Sequence, residues 1–330
     1  MSDIGLVLPD EFSKFSLDQT LAFAERADGA GFHSVWKQEA SGSNGVATLG
    51  AVAQRTTHVR LGTGVASVYS RTPTLLGMSA VTLDHLSGGR AMLGVGVSSP
   101  PLVERWHGMA FDRPLRRLRE TIEIVRQVSE GGAVEYDGDV FDIGPYTMAL
   151  EPLEPVPILN AAISEANRRL TAEFADGWLP AFLPQSVFDE YVTEMRETAR
   201  EAGRAPDDVL VAPWVPTAVD PDPDRAEHRV RYLLAQEMAM GYNEQVGDHG
   251  FGDAPDEANE KFLAGDREGA VEAISEEMLD ELTVYGTAAD VEDQLRTYYD
   301  AGVDVVIAMP SMAATESEVE YLIDVLGSNA

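Results

Sequence analysis

Residues Val59–Ser99 read VRLGTGVASVYSRTPTLLGMSAVTLDHLSGGRAMLGVGVSS. Two short apolar runs, Val59–Val65 and Arg90–Val97, each close on small residues. Between them Pro73–Leu86 is amphipathic at helical spacing. The order is strand, helix, strand, and such a unit makes a right-handed crossover within a parallel sheet. Gly62, Gly64, Gly94 and Gly96 fall at the strand ends. A strand end that simply needs small residues explains them, and so does close backbone approach to a planar ring at Gly62-Thr63-Gly64-Val65.

Working outward, the same unit recurs on both sides. Ile4–Leu8 is a first strand, and Ser16 is placed to cap a helix over Leu17–Asp28. Ser34–Lys37 is a second strand and Val46–Arg55 a second helix. After Val97 come a long helix, Pro114–Glu130, and a turn-rich excursion over Gly131–Pro155. A fifth strand, Val156–Ala161, leads to a helix over Glu165–Phe174. A sixth, Gly177–Ala181, leads to Ser186–Ala202. Val209–Val219 carries two prolines and reads as a bulged seventh strand before a helix over Asp224–Gly241. Tyr242–Glu281 is glycine- and acid-rich and reads as an irregular insertion containing a helix over Ala270–Leu282. Ala289–Tyr299, Val303–Met309 and Glu316–Leu326 close the chain as helix, strand and helix. Open doubly wound sheets and closed barrels both fit such units. A count of about eight strands favours an α/β fold of the (β/α)8 TIM-barrel kind, with an insertion over about 242–282, as one domain spanning 1–330.

The chain has 330 residues, of which 44% are hydrophobic, enough for one large core. It carries 56 acidic against 24 basic residues, a net charge of −32, and its lysines are Lys14, Lys37 and Lys261. The acids are spread through periodic segments rather than blocked, the pattern of a surface suited to a salt-rich cytoplasm. So acidic a surface argues against nucleic acid as a partner. No apolar run reaches the ~20 residues of a membrane span. The start of the chain shows no basic, apolar leader, which gives a cytoplasmic reading. Cysteine is absent, so thiolate metal sites, disulfides and a cysteine nucleophile are excluded.

Barrels place their working residues in the loops after the strand ends. Here those loops hold few acid–base side chains, no metal-ligand cluster, no nucleophile elbow and no phosphate loop. Gly94-Val95-Gly96 lacks the third glycine of a dinucleotide fingerprint. The six histidines are scattered; His107, just past the fourth strand, is the best placed. Glu39 is the acid that stands at a strand end among small neighbours, and is the catalytic candidate against an N-cap or surface-charge role. A site poor in reactive side chains and rich in small ones points to chemistry done by a cofactor.

The motifs Glu39-Ala40-Ser41-Gly42, Leu61–Val65, Tyr69-Ser70-Arg71-Thr72-Pro73, Thr82–Arg90 and Leu93–Gly96 resemble those of the bacterial-luciferase-like superfamily. They are most similar to its deazaflavin (coenzyme F420)-dependent branch. Asn259–Phe262, Gly265-Asp266, Tyr285-Gly286-Thr287 and Ala301-Gly302-Val303 resemble the methylenetetrahydromethanopterin reductases within it. The resemblance implies coenzyme F420, or FMN in its place, at the C-terminal ends of the strands. It implies a non-proline cis peptide at Gly64–Val65 backing the ring beside Thr63. It implies a phosphate-bearing tail held near Gly96, Val97, Ser98 and Ser99 and near Ala162, Ile163 and Ser164. Hydride would pass to a methylene-pterin on methanopterin or folate, with Glu39 or a water in the proton-handling role, and the chain would form a homodimer or homotetramer. An F420-dependent oxidoreductase of another small molecule, an FMN-dependent monooxygenase and a barrel that has lost its cofactor are the alternatives. Three places depart from the relatives' pattern: Ala40 stands for a histidine, Pro184 for a phosphate-binding lysine, and Leu6 for the reductases' glutamate.

Overall fold

A computed structural model describes residues 3–327. Met1 and Ser2, part of the start read above as lacking a leader, lie outside the described residues. In chain order the strands are β1 (Asp3–Val7), β2 (Ser34–Lys37), β3 (Arg60–Thr63), β4 (Ala66–Ser67), β5 (Ala91–Gly96), β6 (Ala133–Asp137), β7 (Asp142–Thr147), β8 (Ile158–Asn160), β9 (Gly177–Trp178), β10 (Leu210–Val211), β11 (Trp214–Val219), β12 (Val284–Gly286) and β13 (Val305–Met309). The helices are α1 (Leu17–Gly29), α2 (Gly45–Ala53), α3 (Pro73–Ser87), α4 (Pro114–Glu130), α5 (Glu165–Phe174), α6 (Phe188–Glu201), α7 (Pro223–Glu237), α8 (Asn243–Gly247), α9 (Ala254–Leu263), α10 (Arg267–Ala273), α11 (Glu276–Leu282), α12 (Ala288–Asp300) and α13 (Glu316–Gly327). π-helical turns cover Leu102–Trp106 and Met238–Tyr242.

The residues cluster into two compact units. The first takes in the chain up to Phe32, Pro180–Thr193 and the chain from Val211 onward; the second takes in His33–Leu179 and Glu194–Leu210.

In the second unit β2, β3, β5, β8 and β9 are parallel neighbours in that order, with β4 beside β5. Lys37 lies opposite Thr63, Leu61 opposite Ala91 and Val95 opposite Asn160. Both faces are covered, so the strands are apolar almost throughout: Val35, Leu61, Val95 and Ile158 are fully buried. The helices between them begin at capping residues. Asn44 accepts from the Ala47 amide, and Thr72 accepts from the Leu75 amide with Pro73 in the first turn. Gly77 lets α3 lie close on α4: a Cβ there would meet Val128 at 2.7 Å. Arg90 ties the unit together from inside. Its guanidinium donates to the carbonyls of Val59 at 2.6 Å, Ser87 at 2.7 Å, Thr56 at 3.0 Å and Ala53 at 3.2 Å. The Thr82–Arg90 motif therefore has a structural task, closing α2 and α3 onto the strands that follow them.

In the first unit β1, β13, β11 and β12 are parallel neighbours. Leu6 lies opposite Ala308, and Trp214 opposite Ile307. A reciprocal capping box, Ser16 with Gln19, opens α1. Arg26 at its far end makes a bidentate pair with Asp324 of α13, at 2.9 and 2.7 Å.

Four expectations need correction. The third strand does not run through Val65; it stops at Thr63 and resumes as β4. The seventh is two strands, because Pro213 offers no amide to a ladder, and β12 pairs with its far end. The sixth is a two-residue strand, with Ala181 making only an isolated bridge to Trp214. The segment 242–282 is not irregular. It folds as α8, α9, α10 and α11, the last two capped by Asp266 and Ser275. The turn-rich excursion is the antiparallel β6–β7 hairpin.

Candidate functional site

The site expected from the sequence lies in the second unit, at the ends of β2, β3, β5 and β8. Thr63 is buried, and its hydroxyl donates to the Gly94 carbonyl at 2.8 Å, pinning β3 to β5. The Gly64 amide donates to the Lys37 carbonyl at 2.8 Å, and the Gly64–Val65 peptide is cis, as expected. Val65 is half-buried between buried Gly64 and buried Ala66, so it is the residue of this bulge that presents surface. The neighbouring glycines have a packing reason. A Cβ on Gly62 would meet the Trp36 ring at 2.2 Å, on Gly94 the Thr63 carbonyl oxygen at 2.0 Å, and on Gly96 the Val65 side chain at 2.8 Å. Their small size is thus accounted for by the chain's own packing around the bulge.

Gly96 is buried, Val97 and Ser98 are half-buried, and Ser99 is exposed. Ser98 adopts a left-handed backbone, φ 63°, which turns the chain after β5. After β8, Ala162 is buried and its carbonyl accepts from the Trp178 indole at 2.7 Å. Ile163 is 38% exposed and its carbonyl accepts from Arg168 at 2.9 Å. Ser164 is exposed, occupies the N-cap of α5, and makes no side-chain cap bond. Hydroxyls of Ser99 and Ser164 and backbone amides at these two turns are the donors available for an anionic tail. Ala162 and Ile163 have their carbonyls committed to Trp178 and Arg168, so they serve as walls and spacers.

Glu39 is not the N-cap of α2, which is Asn44, and it is not a surface charge. Its Oε1 pairs with the Arg71 guanidinium, with side chains only 15% and 10% exposed. Its other oxygen, Oε2, is buried without a hydrogen-bond partner. That oxygen rests against α2: a Cβ on Gly45 would lie 2.9 Å from it. Oε2 is therefore an acceptor that a ligand bearing N–H groups could satisfy. Arg71 had no role in the sequence reading, although it stands inside the quoted Tyr69–Pro73 motif. Nearby, Tyr69 stacks on Phe111 at 5.3 Å, donates to the Asp112 carbonyl at 2.7 Å and carries Arg117 over its ring at 4.7 Å. Burial pushes its phenol pKa up.

His107 ends the π-turn after β5 and is half-buried. Leu6 is fully buried in β1, and Pro184 opens a single turn of 3-10 helix. Neither can move a proton or hold a phosphate by charge. Among the described residues no group of three or more His, Asp or Glu side chains is arranged to hold a metal, and no helix is long and apolar enough to cross a membrane.

A second acid escaped the sequence reading altogether. Glu237, the last residue of α7 in the first unit, is 4% exposed. No hydrogen bond or ion pair to it is found among the described residues, and burial pushes its carboxyl up to about 8. An acid at the end of a helical pattern in so acidic a chain gives no sign of burial in the sequence.

The sequence profile of the luciferase-like monooxygenases matches residues 3–305. A Mycobacterium tuberculosis protein whose name reads “putative coenzyme F420-dependent oxidoreductase” is 32% identical over 320 residues, covering 90% of this chain and 92% of its own. A 5,10-methylenetetrahydromethanopterin reductase of Archaeoglobus fulgidus is 30% identical over 292 residues, covering 87% of each chain. In fold, the coenzyme F420-dependent tetrahydromethanopterin reductase of Methanopyrus kandleri superposes with a TM-score of 0.86 at 24% identity, over 99% of this chain and 97% of that one. A Pseudomonas putida Baeyer–Villiger monooxygenase in complex with FMN gives 0.76 at 16% identity, over 99% and 96%. The fold is therefore the luciferase-like (β/α)8 barrel that the strand count and the motifs led us to expect.

Proposed function

Because this chain belongs to the luciferase-like monooxygenase family, we propose that it is a coenzyme F420-dependent oxidoreductase acting on a one-carbon unit carried by a pterin. The reaction would turn the methylene form of tetrahydromethanopterin or tetrahydrofolate into the methyl form. The observation that carries this reading is the similarity, over most of the chain, to an F420-dependent oxidoreductase and to methylenetetrahydromethanopterin reductases.

The residues at the strand ends fit such a cofactor. Val65 offers the one partly open face of the bulge, suited to lie under a flat ring. Gly96 and Val97 lead into the turn after β5, Ser98 turns the chain with its left-handed backbone, and Ser99 beyond it is exposed. Uncapped Ser164 and the first amides of α5 supply a second set of donors for a phosphate. Bound there, reduced F420 supplies the hydride. The chain's task is to hold the two rings at near-attack distance, roughly 3–3.5 Å, and to keep water out.

Glu39 fits the pterin side of this pairing. Arg71 holds one carboxylate oxygen, and the unpartnered Oε2 is an acceptor for the N–H groups that a pterin carries. We place Glu39 as the residue that orients the substrate, and we take the working form to be a homodimer or homotetramer.

The test is a titration at high salt. Reduced F420 is added to the purified protein, followed by methylene-tetrahydromethanopterin or methylene-tetrahydrofolate, and absorbance follows F420 oxidation. Oxidation with either pterin is the expected outcome. Tight FMN binding with no affinity for F420 would instead favour the flavin member of the family, and no oxidation with either pterin would reject the substrate.

A further inference from the structure

In a chain with 56 acidic and 24 basic residues, an exposed helix face free of carboxylates is unexpected. The usual case is α12, where Asp290, Glu292, Asp293 and Asp300 are all exposed. The neighbouring helices α2 and α3 of the second unit differ. No charged residue occurs in α2, and its exposed positions are Ala47 and Ala51. On α3 the exposed positions are Leu75, Met78, Thr82, His85 and Leu86. The acid of α3, Asp84, is turned inward, where it is 4% exposed and accepts from the Ala91 amide at 3.2 Å.

The apolar side chains on this face are large. Leu75, Met78 and Leu86 are 46%, 48% and 46% exposed. At positions i, i+3 and i+11 they fall on one side of α3 and form a ridge along it. The small residues of α2 lie beside that ridge. Gly50 borders it directly: a Cβ there would lie 3.8 Å from Leu86 Cδ1. Gln54, which ends α2, donates to the Leu86 carbonyl at 3.0 Å. A ridge of long apolar side chains therefore runs next to a furrow lined by Ala47, Gly50 and Ala51. Exposed in this way, the ridge forgoes the gain that its burial would bring.

Charge limits what can cover the face. A cationic partner is drawn to carboxylates, and this face has none exposed. A strongly acidic partner is repelled by the acids spread over the rest of the chain, and it can come close only where no carboxylate stands. A second copy, with its own net charge of −32, is such a partner. The shape agrees with the charge. In a two-fold contact a patch meets itself, so the ridge of one copy can enter the furrow of the other, twice over. Two helix pairs then pack side by side, ridges into grooves.

We propose that the α2–α3 face is where two copies of this chain join about a two-fold axis, the α3 ridge of each against the α2 furrow of the other. The pairing depends on neither the cofactor nor the substrate. It does bear on the candidate pair in each copy: α2 begins at Gly45, shortly after Glu39, and α3 at Pro73, shortly after Arg71. The second copy therefore steadies the two helices that follow those loops. Because the contact is apolar and the chains repel each other elsewhere, salt strengthens it. Ions screen the repulsion, with a Debye length near 3 Å at about 1 M, and leave the apolar burial intact.

Sedimentation velocity reads the pairing directly. In about 1 M KCl the wild-type chain, 35.7 kDa, should sediment at two or four times that mass. Its dissociation constant should fall as KCl is raised from about 0.1 M to about 1 M. Met78→Glu with Leu86→Glu should halve the mass, raising the dissociation constant at least about 100-fold, and Met78→Lys with Leu86→Lys should do the same. An equal mixture of these two double variants should pair again, because the face of one then complements the face of the other. The substituted positions are exposed, so melting temperatures should stay within about 3 °C of wild type. If a variant folds poorly, Thr82→Cys serves, since the chain has no cysteine of its own. A spin label there should report a single short distance between two copies, and a long distance or none would overturn the proposal. A wild-type chain that stays monomeric in high salt would give the face to an unlike partner and overturn it. So would an assembly that survives both pairs of substitutions, or one that weakens as salt is raised.

Discussion

Glu120 and Glu237 are both almost closed to water, at 1% and 4% exposure, and they stand in opposite situations. Glu120, on α4 of the second unit, holds the turn of the β6–β7 hairpin with three amide bonds, and Tyr136, Phe141 and Ile143 of that hairpin pack against Val81, Ile124, Val128 and Val134. Glu237, on α7 of the first unit, has no such partners among the described residues. Burial is common to both, so burial alone does not set the state of a carboxylate. What separates them is whether the fold has supplied the hydrogen bonds that a buried carboxylate needs. Glu39 lies between the two, with one oxygen paired and one left over.

The difference can be broken most forcefully through pH. The folded Glu237 carboxyl titrates at about 8, against 4.5 for an unperturbed one. Between those values the native protein holds a proton that the unfolded chain has lost, so stability falls as pH rises and levels off above about 8. The contribution is on the order of 4 kcal/mol across that window. Glu237→Gln should flatten this slope in urea unfolding followed from pH 5 to 8.5. A slope unchanged by the substitution would mean that Glu237 ionises freely.

Glu120→Ala should cost about 3 kcal/mol, because it strips the acceptor from three amides at once. The loss should be local, with faster hydrogen exchange at Asp139, Val140 and Phe141 and little change in the catalytic rate. Normal protection of those amides in the variant would show that the carboxylate is not what holds the hairpin.

Arg71→Met leaves Glu39 in place without its cation. Turnover should drop about tenfold, equivalent to ~1.4 kcal/mol, while F420 affinity stays nearly constant, if the arginine serves the substrate side as proposed. Glu39→Gln should act in the same direction, lowering turnover more than cofactor affinity. Equal losses in both quantities would return the pair to a purely structural role.

Gly45→Ala is the smallest perturbation. Its new methyl would crowd Glu39 Oε2, which lies 2.9 Å from the position of that Cβ. The carboxylate is the end of a flexible side chain, so a small rotation relieves the contact at a cost of under about 1 kcal/mol. The effect should appear as a modest rise in substrate KM at unchanged melting temperature. A melting-temperature loss of many degrees would show that the Glu39–Arg71 geometry is rigid.

Much of the barrel was legible because its signals are local. Pro114–Glu130 and Glu165–Phe174 form the helices that their periodicity predicts, and Ser16 caps α1 as its position requires. The cis Gly64–Val65 peptide came from family resemblance, not from periodicity. The 242–282 segment was misread because Gly247, Gly250, Gly252 and Gly265 divide it into helices too short to show a clear period. β12 is three residues long and is set by pairing with the far end of β11, which a linear reading does not contain.

The candidate site was legible in its backbone and not in its charges. Thr63–Val65, Gly96–Ser99 and Ala162–Ser164 fall on turns at strand ends, as the motifs place them. That Glu39 meets Arg71 depends on the loops after β2 and β4, which are separate in sequence. That Glu237 is buried and alone depends on the packing of a whole helix, and an acidic sequence hides one unusual carboxylate among 56 acidic residues.

The most direct measurement follows the hydride itself. Reduced F420 carrying deuterium at its reactive ring carbon is mixed with the enzyme and a methylene-pterin, and the product is examined by mass spectrometry. The account predicts methyl-pterin with one deuterium in its methyl group, formed in step with F420 oxidation. A methyl-pterin without deuterium, or no consumption of reduced F420 with either pterin, would contradict it.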